Sequence, residues 1–552
     1  MKNFKVKIVG TLIALLLAAL YYYIALPAIN VHSSGFWFFI ILLVVAVIGI
    51  YILRKRYGVY EIKQSKVVRV LGAVLLFVIA VYLIGSLLSS PIVNAKKYQK
   101  LLKVEDGEFA KDIEELSYDQ IPLLDRNSAT LLGNRKMGSM IDMASQFEVD
   151  DIYSQINYQD KPVRVSPLRY ASPIKWLTNQ SQGIPAYITI DMATQTTELV
   201  KLKEGIKYST AEYFNRNIYR HLRFHYPTYI FNELSFEIDE EGVPYWVCPV
   251  KKFNIGLFGG QTVGRVVLCN AITGETIDYD IKDVPQWIDR AYSADLLIEL
   301  FDYYGTLKHG FINSVLGQKD CLVTTEGYNY LAIDDDVWVY TGVTSVSGDQ
   351  SNVGFVLMNQ RTMETKFYEI EGATEYSAMD SAEGQVQNLK YEATFPLLLN
   401  ISGEPTYFIA LKDNAGLVKK YAMVNVQKYQ VVGIGDTVAE CEEEYQELLL
   451  KEGIQVQEDN RKSGEIRGKI TKIAQGVIGG NSHYFIMVEG SEEIYDVSVV
   501  EFLDIIKYEV GDEISLKYKI GETSNAVTEL LAVTEQAGNQ ASGEAVTENT
   551  EE

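Results

Sequence analysis

Three long apolar segments dominate the pattern of hydrophobic and polar positions near the N-terminus. Residues 8–29, 36–53 and 70–88 contain no charged side chain. Each segment is long enough to cross about 30 Å of hydrocarbon as a helix, whereas a buried helix of a soluble domain rarely needs so long an uncharged run. The pattern therefore predicts a membrane anchor of three transmembrane helices over residues 1–91.

Basic residues around these segments predict the orientation of the anchor. Lys2, Lys5 and Lys7 precede the first segment, and six Lys or Arg lie in residues 53–70, whereas residues 30–35 carry none. Cytoplasmic loops are enriched in Lys and Arg. We therefore expect a multi-pass protein of the cell membrane with a cytoplasmic N-terminus and a large extracytoplasmic C-terminal region. A cleaved first segment would leave that side unchanged, because the other two spans form a pair.

Beyond the anchor, short alternating strands, turns and helices predict an α+β fold. We expect a juxtamembrane helix and connector at 92–136, a first α+β repeat region at 137–318 and a second at 319–454. Within them an apolar strand ends in Asp or Asn, and a new strand begins about five residues later. Asp and Asn side chains bond to turn backbone. This pattern recurs at Ala186–Thr194, Val266–Glu275, Phe355–Glu364 and, more loosely, Tyr421–Lys428.

Two further patterns accompany the hairpins. Gly-x-Pro-x-aromatic occurs at residues 183–187, 242–246 and 403–407. Helices are predicted before the hairpins: Ser209 to Glu212 fits a capping box and apolar residues at helical spacing continue to about His225. Other helices are predicted at residues 285–316, 376–389 and 437–450.

The helix followed by a β-hairpin that ends in Asn-x-x-Thr-Gly-Glu resembles the PepSY type of domain. Residues 209–281 match best, with Asn270 to Glu275 as the ending. PepSY domains lie outside the cytoplasm, are often tethered to the membrane, and are proposed to restrain peptidases or bind partners; the resemblance implies a similar setting here. The chain departs from that pattern in its insertion at Lys251–Gln261 and in its tandem units.

Residues 464–533 predict a separate module of five strands with a short helix between the third and fourth, which resembles an OB-type barrel. OB barrels often bind single-stranded nucleic acid through basic grooves, but this module holds six Lys or Arg against twelve Asp or Glu. That balance favours a protein contact or a spacer. Residues 534–552 lack an apolar period and predict a disordered acidic tail.

Charge separates the two parts of the chain. Residues 1–90 hold nine Lys or Arg and one acidic residue, whereas the remaining residues hold 41 basic and 71 acidic side chains. Because phosphate binding draws on Lys and Arg, this acid excess argues against nucleic acid as a partner.

No catalytic, cofactor or metal site emerges from the motifs. His221 and His225 have the spacing of two zinc ligands, but Leu222 stands where a His-Glu-x-x-His site needs its Glu. The acidic runs 239–241 and 334–336 lack the ligand alternation of an EF-hand loop. Residues 344–348 do not form Gly-x-Ser-x-Gly. Whether the protein is an enzyme stays open, with a binding role favoured.

Four cysteines lie beyond the anchor. Cys248 and Cys269 flank a predicted hairpin whose turn lies near Phe258. They face each other if the turn centres there and become diagonal or separated after a shift of one residue. A disulfide between them is one possibility in an extracytoplasmic compartment. Cys321 and Cys441 are interpreted as small unpaired core residues.

These observations favour a membrane-anchored, non-catalytic binding or scaffold protein of a bacterial-type cell envelope. Its repeated units would be presented to a protein or cell-wall partner, of unknown identity and stoichiometry, through exposed hairpin edges and aromatic side chains. One alternative is an envelope peptidase regulator or hydrolase with a site assembled from distant residues. A second is binding of single-stranded nucleic acid by the barrel. The candidate partner-binding residues are Tyr187, Trp246, Tyr328, Tyr330, Trp338, Tyr340 and Tyr407.

Overall fold

A computed structural model describes residues 15–55, 59–116, 120–333, 335–345, 351–454, 463–478, 481–499, 502–520 and 524–531. The chain divides into two compact units, Met1–Gln457 and Glu458–Glu552, and the division falls between the predicted second repeat region and the predicted barrel. Residues 8–14 of the first predicted span, Asp334 and the predicted tail 534–552 lie outside the described residues.

Twelve α-helices occur within the described ranges, several of them of only one or two turns. They are α1 Leu15–Ala25, α2 Ser34–Lys55, α3 Val59–Gln64, α4 Lys66–Ser89, α5 Pro91–Gln99, α6 Phe109–Asp112, α7 Arg126–Gly138, α8 Pro173–Asn179, α9 Ile218–His225, α10 Ala294–Thr306, α11 Glu375–Gln385 and α12 Val438–Lys451.

The same ranges hold 27 β-strands. They are β1 Glu105–Asp106, β2 Phe147–Val149, β3 Ser154–Tyr158, β4 Lys161–Tyr170, β5 Ile184–Asp191, β6 Thr197–Ile206, β7 Ser235–Ile238, β8 Pro244–Ile255, β9 Gly259–Asn270, β10 Thr276–Asp280, β11 Leu322–Thr324, β12 Asn329–Ile333, β13 Asp336–Ser345, β14 Ser351–Asn352, β15 Gly354–Asn359, β16 Thr365–Tyr368, β17 Gly372–Ala373, β18 Glu392–Ala393, β19 Leu397–Ile401, β20 Glu404–Lys412, β21 Val418–Asn425, β22 Val432–Gly435, β23 Ser463–Ile478, β24 Asn481–Val488, β25 Tyr495–Ser498, β26 Glu513–Lys519 and β27 Asn525–Leu531.

Helices α2 and α4 are long and apolar enough to cross a membrane. Their apolar windows bury no side chain inside the protein, as lipid-facing helices require and as core helices of soluble domains do not allow. The described part of the first predicted span, residues 15–29, contains α1, a shorter apolar helix that ends at Ala25, four residues before the predicted end. The described residues contain two candidate spans rather than the three predicted.

Between α7 and α12 the chain forms four successive units, each containing a helix and a core of four antiparallel strands. The helices are α7, α9, α10 and α11. The strands that follow are β3–β6 in the first unit, β7–β10 in the second, β12, β13, β15 and β16 in the third, and β19–β22 in the fourth. Short strands β2, β11 and β18 precede the core strands of the first, third and fourth units, and α8 lies between β4 and β5. The α+β class is thus confirmed. The predicted connector contains β1, which pairs in parallel with β16.

One turn is the same in all four units. Asp191, Asn270, Asn359 and Asn425 end the third strand of their units. In each case Oδ1 accepts hydrogen bonds of 2.8–3.1 Å from the backbone N–H groups two and three residues later. The recurring sequence pattern therefore marks one recurring turn.

The Gly-x-Pro-x-aromatic pattern does not mark equivalent positions. Gly242 and Gly403 lie between the first and second strands of their units, at φ 77° and 81°, whereas Gly183 (φ 80°) lies between α8 and the third strand of the first unit. The three sites share only a left-handed backbone that favours glycine.

Alternate residues of the central strands belong to different hydrophobic cores. On β8, Trp246 and Cys248 pack with the first unit, whereas Val247 packs with α10 and the third unit. On β13, Val339 packs with the second unit and Tyr340 with the fourth. Because both faces of these strands are buried, their sequences read as continuous apolar runs.

The capping box predicted at Ser209 is wrong. Residues 214–216 form a 3₁₀ turn, and α9 begins only at Ile218. Glu212 is buried and its carboxylate accepts hydrogen bonds from the Tyr170 hydroxyl at 2.6 Å and the Trp176 indole N–H at 2.8 Å. The Glu212 carboxylate, which the local sequence had assigned to a helix start, thus bonds donors that are distant in sequence.

The C-terminal unit is a closed barrel. Its strands follow the order β23-β24-β25-β27-β26, with β25 and β27 parallel. A 3₁₀ helix at Leu503–Lys507 lies between β25 and β26. The five predicted strands and the short helix between the third and fourth are confirmed.

Candidate functional site

A cleft of about 1060 Å³ opens between the first and second units. Its floor is one face of β4, β5 and β6, and its wall is formed by the β7–β8 and β9–β10 turns. The main floor residues are Val163, Tyr187, Thr189, Val200 and Leu202.

Strand register explains why these side chains share the floor. Tyr187 lies opposite Val200 and Thr189 opposite Glu198, and alternate residues of a strand point to the same face. The buried Tyr187 hydroxyl donates a 2.8 Å hydrogen bond to the carbonyl of Gly242 in the wall. Burial raises the pKa of Tyr187, so the hydroxyl stays a neutral donor that ties the floor to the wall.

Strand β6 gives the cleft an exposed backbone edge. It is the last strand of its sheet, and β5 is its strand partner within the described residues. Five consecutive β6 residues, 200 to 204, line the cleft. The pairing of β5 with β6 shifts register between Ile184 and Ala186, so residues 202–205 lie outside the regular ladder, and successive residues of this irregular stretch line the cleft together. The edge of β6 away from β5 pairs with no other strand among the described residues.

Charges of both signs surround the cleft. Its lining includes Lys161, Lys201 and Lys203, and also Asp191, Glu198, Glu204 and Glu241. Such a mixed rim lacks the strong positive field that polyanions need. It suits a ligand with little net charge that bonds through polar groups.

Most of the predicted partner-binding aromatics are core residues. Tyr187, Trp246, Trp338, Tyr340 and Tyr407 are all buried. The Trp246 indole N–H donates to the carbonyl of residue 208 and the Tyr407 hydroxyl to that of residue 373, both at 2.9 Å. Trp246, Trp338, Tyr340 and Tyr407 cannot be presented to a partner, because both faces of their strands are covered.

The remaining two predicted aromatics are half-buried. Tyr328 and Tyr330 have ring centroids 5.6 Å apart and pack against the core shared by the second and third units. Among the seven predicted residues, Tyr187 alone lines the cleft. The sequence analysis did not identify β6 as part of a binding site. Its exposed charged side chains alternate with half-buried Val200 and Leu202, a pattern typical of an edge strand.

The cysteines are free and buried. Cys269 lies opposite Trp246, and Cys248 lies opposite Val267, two residues along β9. The disulfide considered from the sequence is therefore not formed, because the register makes the two thiols diagonal. The offset arises because the turn centres on Leu257, with Ile255 opposite Gly259, and the register shift between Val250 and Lys251 reduces it by one residue.

Each of the five histidine rings makes a hydrogen-bond contact with a carbonyl or carboxylate group of the protein. The rings of His32, His221 and His225 bond backbone carbonyls at 2.7–2.8 Å, and those of His309 and His483 bond aspartates at 2.8–2.9 Å. Burial lowers the pKa of His221. No group of three His, Cys, Asp or Glu suited to a metal ion occurs among the described residues.

A buried acid pair was not anticipated from sequence. Glu237 and Asp289 are almost fully buried, and the Asp289 backbone N–H donates to Glu237 Oε2 at 3.0 Å. Asp289 Oδ2 accepts from the Asn157 backbone N–H at 2.7 Å. Burial raises the pKa of both carboxyl groups, and the charge of Glu237 adds to the shift of Asp289. This enclosed pair joins the first two units.

Neither a protein-family model nor a curated protein matches the chain. The geometry of the cleft and of the anchor is therefore the basis for assigning a function.

Proposed function

We propose that the chain is a non-catalytic, membrane-anchored, extracytoplasmic binding protein of a bacterial-type cell envelope, and that its cleft binds an extended polypeptide segment of an envelope partner. The observation that carries the binding role is the exposed edge of β6 beside a cleft of about 1060 Å³.

Contacts of the α1–α2 loop support the sidedness in this proposal. The backbone N–H of Ile29 donates to the carbonyl of Pro227 at 2.8 Å, and Asn30 Nδ2 donates to that of residue 228 at 2.9 Å. His32 Nδ1 lies 2.7 Å from the carbonyl oxygen of residue 257. The uncharged loop and the four units thus lie at the same end of α2, whose other end carries Arg54 and Lys55. Because cytoplasmic flanks are enriched in Lys and Arg, this arrangement supports an extracytoplasmic position for the units.

The cleft supports an extended ligand because a strand can add to a free sheet edge through main-chain hydrogen bonds, with specificity from alternate side chains. Val200 and Leu202 on β6 offer half-buried apolar surface at that two-residue spacing. Thr189 and the hydroxyl of Tyr158 add polar groups along the cleft.

In this proposal the four units are PepSY-like and the barrel is OB-like. Helix-then-strand order supports the first comparison. The closed five-stranded order with one short helix supports the second. The acid excess of residues 464–533 supports a protein-contact or spacer role for the barrel rather than nucleic-acid binding.

A peptide-display selection tests the binding role. The full-length protein in detergent is screened against a library of random, unstructured decapeptides, and affinities of the selected peptides are measured by fluorescence anisotropy. Val200→Arg places a long cation on the cleft floor. We expect it to weaken binding by at least about tenfold, equivalent to about 1.4 kcal/mol.

Ile277→Arg is the matched control, since Ile277 is an exposed apolar residue on β10, another strand at a sheet edge. Its affinity should equal that of the unmodified protein. Failure to enrich any peptide, or equal effects of the two substitutions, would reject the cleft as the binding site.

A further inference from the structure

An apolar patch projects beside α9. The Phe214 patch consists of Ile174, Leu177 and Phe214, and 64% of Phe214 is exposed. Phe214 also has φ 51°, a left-handed conformation that costs energy in a non-glycine residue and that clusters at functional sites. The neighbouring Trp176 ring lies 6.0 Å from the Phe214 ring. A bulky apolar ring is thus held outward on strained backbone.

Contacts connect this patch to the end of α1. Arg220 Nη1 donates to the carbonyl of Phe214 at 2.6 Å, and the same guanidinium lies 4.3 Å from the ring centroid of Tyr23. The Phe224 ring is 6.1 Å from that of Tyr23. Tyrosines near the ends of membrane helices favour the headgroup level. The side chain of Arg220 therefore bridges the Phe214 patch and Tyr23, the residue expected at the headgroup level.

A second patch lies beside the end of α4. The Leu316 patch consists of Ile312, Val315 and Leu316, with Leu316 80% exposed. Phe311, which precedes it, packs into a small core with Tyr98. The Tyr98 hydroxyl in turn donates a 2.6 Å hydrogen bond to the carbonyl of residue 89, the last residue of α4.

A hairpin tip fixes the orientation of the four units on the helices. Ser89 Oγ accepts a 2.8 Å hydrogen bond from the backbone N–H of Leu257. The Phe258 ring lies 5.2 Å from Tyr82 on α4 and 6.4 Å from Trp37 on α2. With this attachment between them, the two patches border the same end of the helix group.

We propose that the Phe214 patch and the Leu316 patch both insert into the outer lipid leaflet, so that the four-unit region rests on the membrane surface. Continuity with the membrane helices identifies lipid as the occupant. Basic side chains accompany both patches, as anionic headgroups favour. They are Lys175 and Arg216 beside the first, and Lys308 and Lys319 beside the second.

Depth-dependent quenching in lipid nanodiscs tests this proposal. Leu177→Cys, Leu316→Cys and, as a control, Leu450→Cys are made in the full chain and labelled with a small environment-sensitive fluorophore. Leu177 and Leu450 are matched, being 62% and 61% exposed on helices. The native cysteines are buried and give little background.

Labels at 177 and 316 should be quenched by spin-labelled lipid, at a depth of about 5–10 Å, and protected from aqueous iodide. The label at 450 should behave in the opposite way. Iodide access at 177 and 316 equal to that at 450 would overturn the proposal. Protection from both quenchers would also overturn it, in favour of a second protein copy as the occupant.

Discussion

At the scale of single residues, the pair of Glu237 and Asp289 shows what burial does to ordinary side chains. Both carboxyl groups accept backbone hydrogen bonds, yet Asp289 Oδ1 is buried without a hydrogen-bond partner. Burying an ionised carboxylate oxygen without a hydrogen-bond partner costs free energy of folding, and this cost is smaller when the carboxyl group is protonated and neutral. The raised pKa of Asp289 is consistent with a proton retained in the folded protein.

Asp289→Asn should flatten the pH dependence of stability. A carboxyl whose pKa is raised by folding stabilises the protein most below its unfolded pKa, near pH 4, and this stabilisation declines as pH rises towards the folded pKa. Removing one such group should reduce the slope by up to about 1.4 kcal/mol per pH unit. Denaturant unfolding between pH 4 and 8, followed by tryptophan fluorescence, measures the slope.

Asp380→Asn, at an exposed position on α11, is the control and should leave the slope unchanged. Identical slopes for both variants would show that Asp289 does not carry the pH dependence.

Residue type alone did not separate core from surface among the aromatics. Trp246 and Tyr407 were candidates for partner binding because exposed Trp and Tyr dominate many interfaces. In the fold, each contributes to a core between successive units. Nothing in a single sequence indicates that a second unit will cover the other face of a strand.

At the scale of elements, the insertion at 251–261 extends β8 and β9 towards the anchor. Gly259 is required by close approach: a Cβ there would collide with the carbonyl oxygen of Ser89 and the hydroxyl of Tyr98. The β8–β9 tip is therefore a point at which the units attach to α4.

Gly259→Ala should destabilise this attachment. Overpacking of a close contact typically costs about 1–3 kcal/mol. We expect a lower unfolding temperature and faster proteolysis at the β8–β9 tip in detergent solution.

Gly384→Ala on α11 provides the comparison, because no atom lies within 4 Å of the added Cβ. It should be neutral or slightly stabilising, as alanine is a better helix former than glycine. The attachment would be unimportant if the two variants had equal stability and equal cleavage at the tip.

Elements with a clear period or cap were predicted well from sequence, and their assembly was not. Thr437 caps α12 through a capping box with Glu440, and the predicted helix began at that residue. At Ser209 the same kind of motif failed, because Glu212 bonds residues about 40 positions away. The cleft also escaped prediction, since its floor and wall come from different units and depend on strand register.

At the scale of the whole molecule, the anchor and the four units belong to one compact unit. The side of the membrane on which the four units lie can therefore be measured with single cysteines at a few positions. Ile141→Cys and Gln64→Cys mark exposed positions beyond α4 and between α2 and α4. In intact cells, a membrane-impermeant maleimide should label the first and should label the second only after permeabilisation. Gel shift after labelling measures both.

The unmodified chain is the control, and its buried thiols should remain unlabelled while it is folded. Labelling of Gln64→Cys in intact cells, with protection of Ile141→Cys, would reverse the orientation and remove the extracytoplasmic role.

The contacts between the α1–α2 loop and residues 227–257 also constrain biosynthesis. This loop leaves the ribosome about 200 residues before its partners do. These contacts can therefore form only after the second unit has been synthesised and folded. Completion of the membrane part consequently comes late, and a truncation before residue 227 would leave the α1–α2 loop without these contacts.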